Sequence, residues 1–506
     1  MKRSSNNNYN NANGKNNGNN GKPRKRQKKK KTQRQFDVTK YKKRYVALHV
    51  AYFGHKYRGY ASQADTTETI EHYLFEALKK TCLIVDRKSS SYSLSGRTDA
   101  GVSAVGQVIS IYLRSKQLAS SINDIPNEKN SNNNNNSNNN NNSNNNNNNS
   151  LLPHDEELDY VNMINRLLPT DIKILAWSDI PAHFSARFSP LSRIYRYYFP
   201  KRQMNINDMR LAAKLFIGEH DFRNFCKMNV IAVSNYKRKI FRFDICKVNG
   251  NNEDECSTGH EENGIYDTDM YMFEIEGTAF LWHQVRMMTA VLFLVGSGKE
   301  DPPIISTLLN VVNHPRRPQY NMSNEGPLVL YKTNYKEVSF NTSEHAMKWL
   351  LKRYEDLWHE YAVKACMMRE FINVAQKSYN KSISKVAVEE GTTINKSTSS
   401  STNTKINNKL LVVVADDDDD ENHFTSTKKP IKSRLSDYIS GHESSGEYIS
   451  LLNRTTAMSY EERINNLSEK RLEERNRLIQ KSKTIGIAKN GILSERERAI
   501  RGRDRV

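Results

Sequence analysis

A carboxylate set between two glycines at a strand junction is the first chemistry this chain offers. In Ser95-Gly96-Arg97-Thr98-Asp99-Ala100-Gly101-Val102 an arginine stands two residues before the aspartate, and a glycine flanks the group on each side. Glycine lets the backbone bend sharply and lie close to another molecule. An aspartate is ionised at neutral pH, its reference pKa being about 3.9, and beside a guanidinium it is a candidate nucleophile with an electrostatic partner. The same residues also read as an aspartate turn in which Asp99 satisfies its own backbone. Local chemistry leaves both readings open.

Two further stretches combine charge with aromatic or apolar neighbours. Between Phe184 and Phe199, Arg187, Arg193 and Arg196 are interleaved with Phe188, Tyr195, Tyr197 and Tyr198. Such a surface suits phosphates and stacked bases; a tyrosine-rich core strand with exposed arginines would carry the same letters. Further on, Val285, Met288, Leu292 and Val295 fall at helical spacing with Arg286 among them. A buried charge must be paired, and an active-site carboxylate is the natural partner. His283, just before that helix, reads as a cap. His220 and Asp221 lack a third ligand nearby and read as a structural turn, since metal sites need a full ligand set.

The elements that would hold these groups follow from periodicity. A strand is predicted from Tyr45 to Gly54, then a loop with Lys56, Tyr57, Arg58 and Gln63. Thr69 can cap a helix with Ile70, Tyr73, Leu74, Ala77 and Leu78 on one face. Alternation through Tyr92 and Leu94, and again over 105–113, puts a strand on each side of Asp99. A helix is predicted near 158–168, strands to Trp177, over 194–199, 238–248, 270–276 and 328–331, and a helix over 209–216. Strand, helix, strand, strand, twice over, is an α+β layout with helices on one face of a sheet.

The chain has 506 residues and 77 basic against 56 acidic side chains, a formal net charge of +21 that favours a polyanionic partner. Five cysteines without a Cys-x-x-Cys pair read as reduced intracellular thiols, with no zinc site and no disulfide framework. No apolar run is long enough for a membrane span, and no signal peptide is apparent. Residues 1–43 are Asn-rich and then basic over 22–31, too polar to offset the entropy of ordering. The basic run suits nuclear import or RNA contact. The Asn/Ser tract 130–150 should loop into solvent. The expected divisions are a disordered tail 1–43, a half 44–200 carrying that insert, a half 201–340, a helical extension 341–376, and a low-complexity, charged tail 377–506.

The segment from Gly96 to Ala104 resembles the active-site segment of the TruA family of tRNA pseudouridine synthases. Phe184-Ser185-Ala186-Arg187 followed by Arg193, Tyr195, Arg196 and Tyr197 resembles a second family segment. Gly218 to Phe222 resembles a third, and Phe280-Leu281-Trp282-His283-Gln284-Val285-Arg286 a fourth. Together they cover about 45–335, with most similarity to the eukaryotic Deg1-type branch, which modifies tRNA positions 38 and 39. Ala100 departs from that branch, which often has lysine there. The resemblance implies the pseudouridine synthase fold: two similar mixed antiparallel-sheet halves with helices on one face, between disordered N- and C-terminal tails. It implies uridine isomerisation without metal or cofactor. Asp99 would be the nucleophile and Tyr195 would contact the target base. Arg97 and Arg286 would hold the charge of Asp99, one of them filling the space of an extruded base, and Arg58 would track phosphates. The implied partner is tRNA, with no membrane, and the implied compartments are nucleus and cytoplasm. Oligomeric state stays open, a homodimer being one option. The alternatives are a relative acting at another tRNA site and a tRNA-binding protein without chemistry. A weaker likeness links Tyr448 to Arg463 with a tail docking segment of Deg1-type enzymes.

Overall fold

Alternating burial begins at β1 (Tyr41–Tyr52), where Val46, Leu48, Val50 and Tyr52 turn to one face of the sheet and Ala47 to the other. This computed structural model describes residues 36–119, 152–248, 270–336, 338–389 and 448–487. The basic run 22–31, the Asn-rich insert 130–150, the acidic loop 249–267 and most of the tail 377–506 lie outside the described residues. β1 starts four residues before the predicted strand because Tyr41 and Lys43 still pair with Leu118 and Arg114 of the long strand β3 (Ser103–Leu118). The charge of Arg44 is buried there because Asp179 and Glu157 bind its guanidinium at 2.5 and 3.1 Å.

The first half of the sheet is built from β1, α1 (Ile70–Lys80), β2 (Ser93–Leu94), β3, α2 (Tyr160–Asn165) and β4 (Ile172–Asp179). Thr69 caps α1 as predicted, its hydroxyl accepting from the His72 amide at 3.3 Å. Ile70, Leu74, Ala77 and Leu78 are buried, whereas Tyr73 is half exposed against Tyr57. α2 is shorter than the predicted 158–168: Asp159 caps its start, and the chain tightens into a turn after Asn165.

The second half comprises β5 (Ser192–Pro200), α3 (Ile206–Lys214), β6 (Gly218–Asp221), β7 (Lys237–Lys247), β8 (Met270–Gly277), α4 (Gln284–Gly296), α5 (Ile304–Leu309) and β9 (Leu328–Asn334). The strands form one sheet in the order β4-β1-β3-β9-β5-β8-β7-β6, with β2 also on β3. Each half therefore orders its strands alike. The last strand lies beside the first, which lies beside the third of the group, with the preceding hairpin strand outside it: β4-β1-β3-β2 and β9-β5-β8-β7. β5 thus belongs with the second half, although it ends the segment 44–200.

The halves join at one parallel contact, Ser103 opposite Val329 and Ala104 opposite Leu330. Gly106 permits that approach, since a Cβ on it would stand 2.3 Å from the Tyr331 carbonyl oxygen. Helices α1 to α5 cover one face, and their apolar sides share a single core with the inward strand residues. The first turns of α6 (Glu344–Glu389) add Ala346 and Leu350 to that core; the helix runs past the expected end at 376. Downstream, α7 (Tyr460–Asn465) and α8 (Glu469–Ile487) follow a segment that starts at Tyr448. No helix among the described residues is long and apolar enough to cross a membrane.

All thirteen residues of α4 are buried. Phe293 stands 5.8, 5.3 and 5.6 Å from the rings of Tyr197, Phe199 and Phe273, which fixes α4 on the strands that carry Tyr195. Phe293→Ala should cost about 3–5 kcal/mol of stability, as for other large-to-small core changes. It would appear as a lower denaturant midpoint, and an unchanged midpoint would refute this packing.

Candidate active site

The turn bearing Asp99 is held from three sides. From the first strand pair, the Gln107 amide brackets Gly96, donating to its carbonyl at 2.6 Å and accepting from its N–H at 3.2 Å. Tyr52 meets the Thr98 hydroxyl at 2.8 Å. From the loop after β1, the Tyr60 amide donates to the Thr98 carbonyl and the Gly101 amide to the Tyr57 carbonyl, at 3.2 and 3.1 Å. Gly59 has φ +100°, and a Cβ there would lie 3.2–3.3 Å from Thr98 O and Asp99 C, so the loop backbone rests on the turn itself. From β5, the buried guanidinium of Arg193 donates twice to the Ser95 carbonyl, at 2.9 and 2.7 Å. Charge-assisted bonds of this kind are about twice as strong as neutral ones.

Pairing across β9 brings Tyr195 to this turn. Leu330 is opposite both Ala104 and Tyr195. The Tyr195 hydroxyl lies 3.7 Å from where a Gly96 Cβ would stand. Its ring is buried edge-on to Phe280, with centroids 5.0 Å apart. Burial pushes the phenol up to about 12, with the Asp99 charge adding to the rise and Arg193 opposing it. Tyr195 is therefore a neutral hydroxyl at physiological pH.

Asp99 keeps 28% of its side-chain surface exposed. Burial lifts its carboxyl above the ordinary value. Arg286, a hydrogen bond from the Trp282 indole N–H and the charge of Lys227 pull it down, while Glu325 adds to the rise. The ring of His283 is its closest ionisable neighbour, Nε2 to Oδ2 at 3.4 Å. Burial, then Arg286 and Lys227, push His283 down to about 4, so it is a neutral imidazole. Its Nδ1 is buried without a hydrogen-bond partner, and Nε2 is the ring nitrogen that faces the carboxylate. His283 was expected to cap α4. It occupies that position with a left-handed backbone (φ 63°) but makes no capping bond; the ring turns to Asp99 instead. Left-handed non-glycine residues are strained and cluster at functional sites.

The other predicted residues fall into two groups. Arg286 is buried in the first turn of α4, and its direct partner is Glu325 at 2.7 Å, with the Ser323 carbonyl at 2.8 Å. It acts on Asp99 through space. Arg97 is exposed and makes no ion pair with Asp99; its charge is felt instead by Arg187, whose pKa is lowered by partial desolvation and then by Arg97. Arg58 is exposed next to Gly59, 3.5 Å from Glu68. His220 and Asp221 form β6 rather than a free turn, His220 Nε2 standing 3.0 Å from the Ile217 carbonyl.

Three neighbours of Asp99 escaped the sequence reading. Lys227 holds its ammonium 4.4 Å over the Trp282 ring while its amide donates to the Trp282 carbonyl at 3.0 Å. Trp282 is half exposed beside them, and Glu325 completes the set. Trp282 lies inside the fourth family-like segment, but no spacing places it, Lys227 or Glu325 beside Asp99. The site as a whole holds two carboxylates against two cations around a neutral imidazole and a neutral phenol. It offers a fixed, partly desolvated carboxylate to a ligand entering beside Tyr195, with cations at its rim for an anionic chain.

Comparison with known proteins gives the chain its relatives. A family model for "tRNA pseudouridine synthase" matches residues 212–336. The "tRNA pseudouridine(38/39) synthase" of Bos taurus is 41% identical over 340 residues, 66% of this chain and 65% of that protein. The protein of that name in Saccharomyces cerevisiae is 34% identical over 368 residues, 71% and 73% of the two chains. "tRNA pseudouridine synthase A" of Methanosphaera stadtmanae is 31% identical over 329 residues, 64% of this chain and 96% of that protein. The chain thus spans about 65% of the length of its mammalian relatives and nearly all of the archaeal one. With relatives of at least 30% identity covered over two thirds or more of their length, the chain belongs to the TruA family of tRNA pseudouridine synthases.

Proposed function

We propose that this chain isomerises uridine to pseudouridine in the anticodon stem-loop of tRNA, at positions 38 and 39, with Asp99 as nucleophile. The observation that carries the reading is the Asp99 carboxylate, set in a turn held from three sides, largely desolvated, and within electrostatic reach of Tyr195 and Arg286. Relatives named for positions 38 and 39 share 34–42% identity with it, against 31% for the archaeal synthase A.

The reaction breaks the bond from C1′ to N1, turns the base, and joins C1′ to C5. A proton leaves C5 and one is gained at N1, so atoms balance with no oxidant, reductant or co-substrate. Asp99 supplies the attacking electron pair. Burial raises the basicity of that oxygen, while Arg286 and Lys227 keep it ionised. Tyr195, neutral and buried, stacks on or hydrogen-bonds the uracil and can pass a proton. Arg286 fixes the far wall through Ser323 and Glu325. Exposed Arg97, Arg58 and Arg187 track phosphates, and Arg97, two residues before Asp99, suits the place vacated by an extruded base. Binding should accordingly weaken with salt. We extend the proposal to action in both nucleus and cytoplasm, on the basic run at 22–31.

The test is to incubate the purified protein with unmodified tRNA transcripts and map pseudouridine by chemical adduct and primer stop. Product at 38 or 39, absent with Asp99→Asn although that variant still binds tRNA, is the expected result. Product elsewhere would overturn the position, turnover by Asp99→Asn would remove Asp99 from its role, and tight binding without product would favour a binding protein.

Stability gives a second check. The folded-state pKa of Asp99 lies above its unfolded value, so stability is full below the unfolded value and is lost as pH rises through the folded one. At pH 7 Asp99→Asn should therefore melt no lower than the parent and is expected to melt higher. That advantage should vanish as the pH falls below about 3.9. A lower melting temperature at pH 7 would contradict the desolvated carboxylate.

A further inference from the structure

Residues 448–478 return to the second half of the sheet through a series of contacts. Glu300, just after α4, accepts from the Tyr448 hydroxyl and the Leu451 amide, both at 2.6 Å, and Leu451 is fully buried. Thr455 and Ala457 then pair with Gln319 and Arg317 through backbone bonds of 2.9 and 2.8 Å. Ser459 and Glu462 form a capping box that starts α7, and Glu461 reaches Arg223 at 2.9 Å. That exposed pair contributes little by itself.

The line ends on the loop that carries Lys227. This loop leaves β6 at Phe222, whose amide bonds the Tyr236 carbonyl at 3.2 Å, and returns into β7. Its first part is tied to the body by Asn224, which donates to the Leu308 and His314 carbonyls, and by the Tyr320 hydroxyl. Its later part, 229–235, bonds mainly to itself. Among the described residues, its hydrogen bond to a remote part of the chain comes from Arg475 in α8, which donates to the Val230 carbonyl at 3.1 Å. A second guanidinium nitrogen of Arg475, Nη2, donates to the Tyr460 hydroxyl at 2.9 Å. The Tyr460 ring stands edge-on to Tyr236 at 5.5 Å, with Arg223 over it. Lys227 then passes the constraint to Trp282, through its amide and its ammonium.

We propose that residues 448–478 are a strap that holds the Lys227–Trp282 corner against Asp99, with Tyr460 and Arg475 as its positioning residues. The inference rests on the reading of Asp99 as the reacting group. Among the described residues no hydrogen bond or ion pair joins the strap to the Asp99 turn, so its release leaves the carboxylate in place. What it removes is the fixed positive charge and the indole donor beside it. Turnover should fall while tRNA affinity holds, and the acid limb of the rate should move to higher pH as the opposing charge drifts away.

The full-length Tyr460→Ala, Tyr460→Phe and Arg475→Ala proteins test this by amide hydrogen exchange and by single-turnover rate on a tRNA transcript. In Tyr460→Ala and Arg475→Ala, amides of 222–236 should exchange at least about tenfold faster while those of β1 and β3 stay unchanged. The rate should drop about tenfold or more, as for other misplaced site groups, with the dissociation constant within about twofold of the parent. Tyr460→Phe keeps the ring contact and should recover much of the rate. Unchanged exchange over 222–236, or equal acceleration throughout the protein, overturns the strap whatever the activity. A parent protein that makes no pseudouridine overturns the enzymatic reading instead, and exchange alone then judges the strap.

Discussion

Two strands from distant parts of the chain run parallel for only two residue pairs, and that seam positions everything else. β3 meets β9 at Ser103 and Ala104, four residues beyond Asp99, and Gly106 leaves room for the two backbones. β9 in turn pairs with β5, so a single residue, Leu330, faces both Ala104 and Tyr195. Neither half-sheet has the site alone. The first contributes the carboxylate and its turn, the second the phenol, the buried arginine and the aromatic corner. A shift of register at the seam would separate Asp99 from Tyr195 by a full residue spacing and turn side chains to the wrong face.

Around the seam, the site carries an electrostatic cost. A carboxylate with one quarter or so of its side chain in water has lost much of its solvation, and burial is the largest influence on it. The surrounding cations limit that penalty without neutralising the group: Arg286 is itself paired to Glu325, and Lys227 sits over an indole. A direct bidentate arginine would have made Asp99 a stable but poor base. Placing the guanidinium one layer back, with a neutral imidazole in contact, keeps the charge available. The strained backbone of His283 belongs to the same economy, since it turns the ring inward while α4 starts on schedule.

Much of this was legible in the sequence because it is local. Alternation located the strands flanking Asp99, helical spacing exposed Arg286 as a buried charge, and Thr69 marked the start of α1. What stayed hidden depends on pairing across long separations. The apolar run at 328–331 looks like any last strand, yet it is the centre of the sheet. Arg286 visibly needed a carboxylate, but the nearer one is Glu325, thirty-nine residues on, and not Asp99. His283 at a helix start reads as a cap unless its backbone angle is known. Lys227 and Trp282 carry no spacing signal, since their meeting is made by the loop after β6. The docked stretch from Tyr448 to Arg475 lies beyond a long low-complexity region, and its order comes from the surface that receives it rather than from its own composition.

The central claim is that Asp99 is a partly desolvated carboxylate balanced by Arg286 and Lys227. The most direct measurement is its titration, read by carboxylate infrared difference spectra between the parent and Asp99→Asn across acid pH. A midpoint above the ordinary value of about 3.9, rising further in Lys227→Met, is what the account predicts. A midpoint at or below that value, or one indifferent to Lys227→Met, would contradict it.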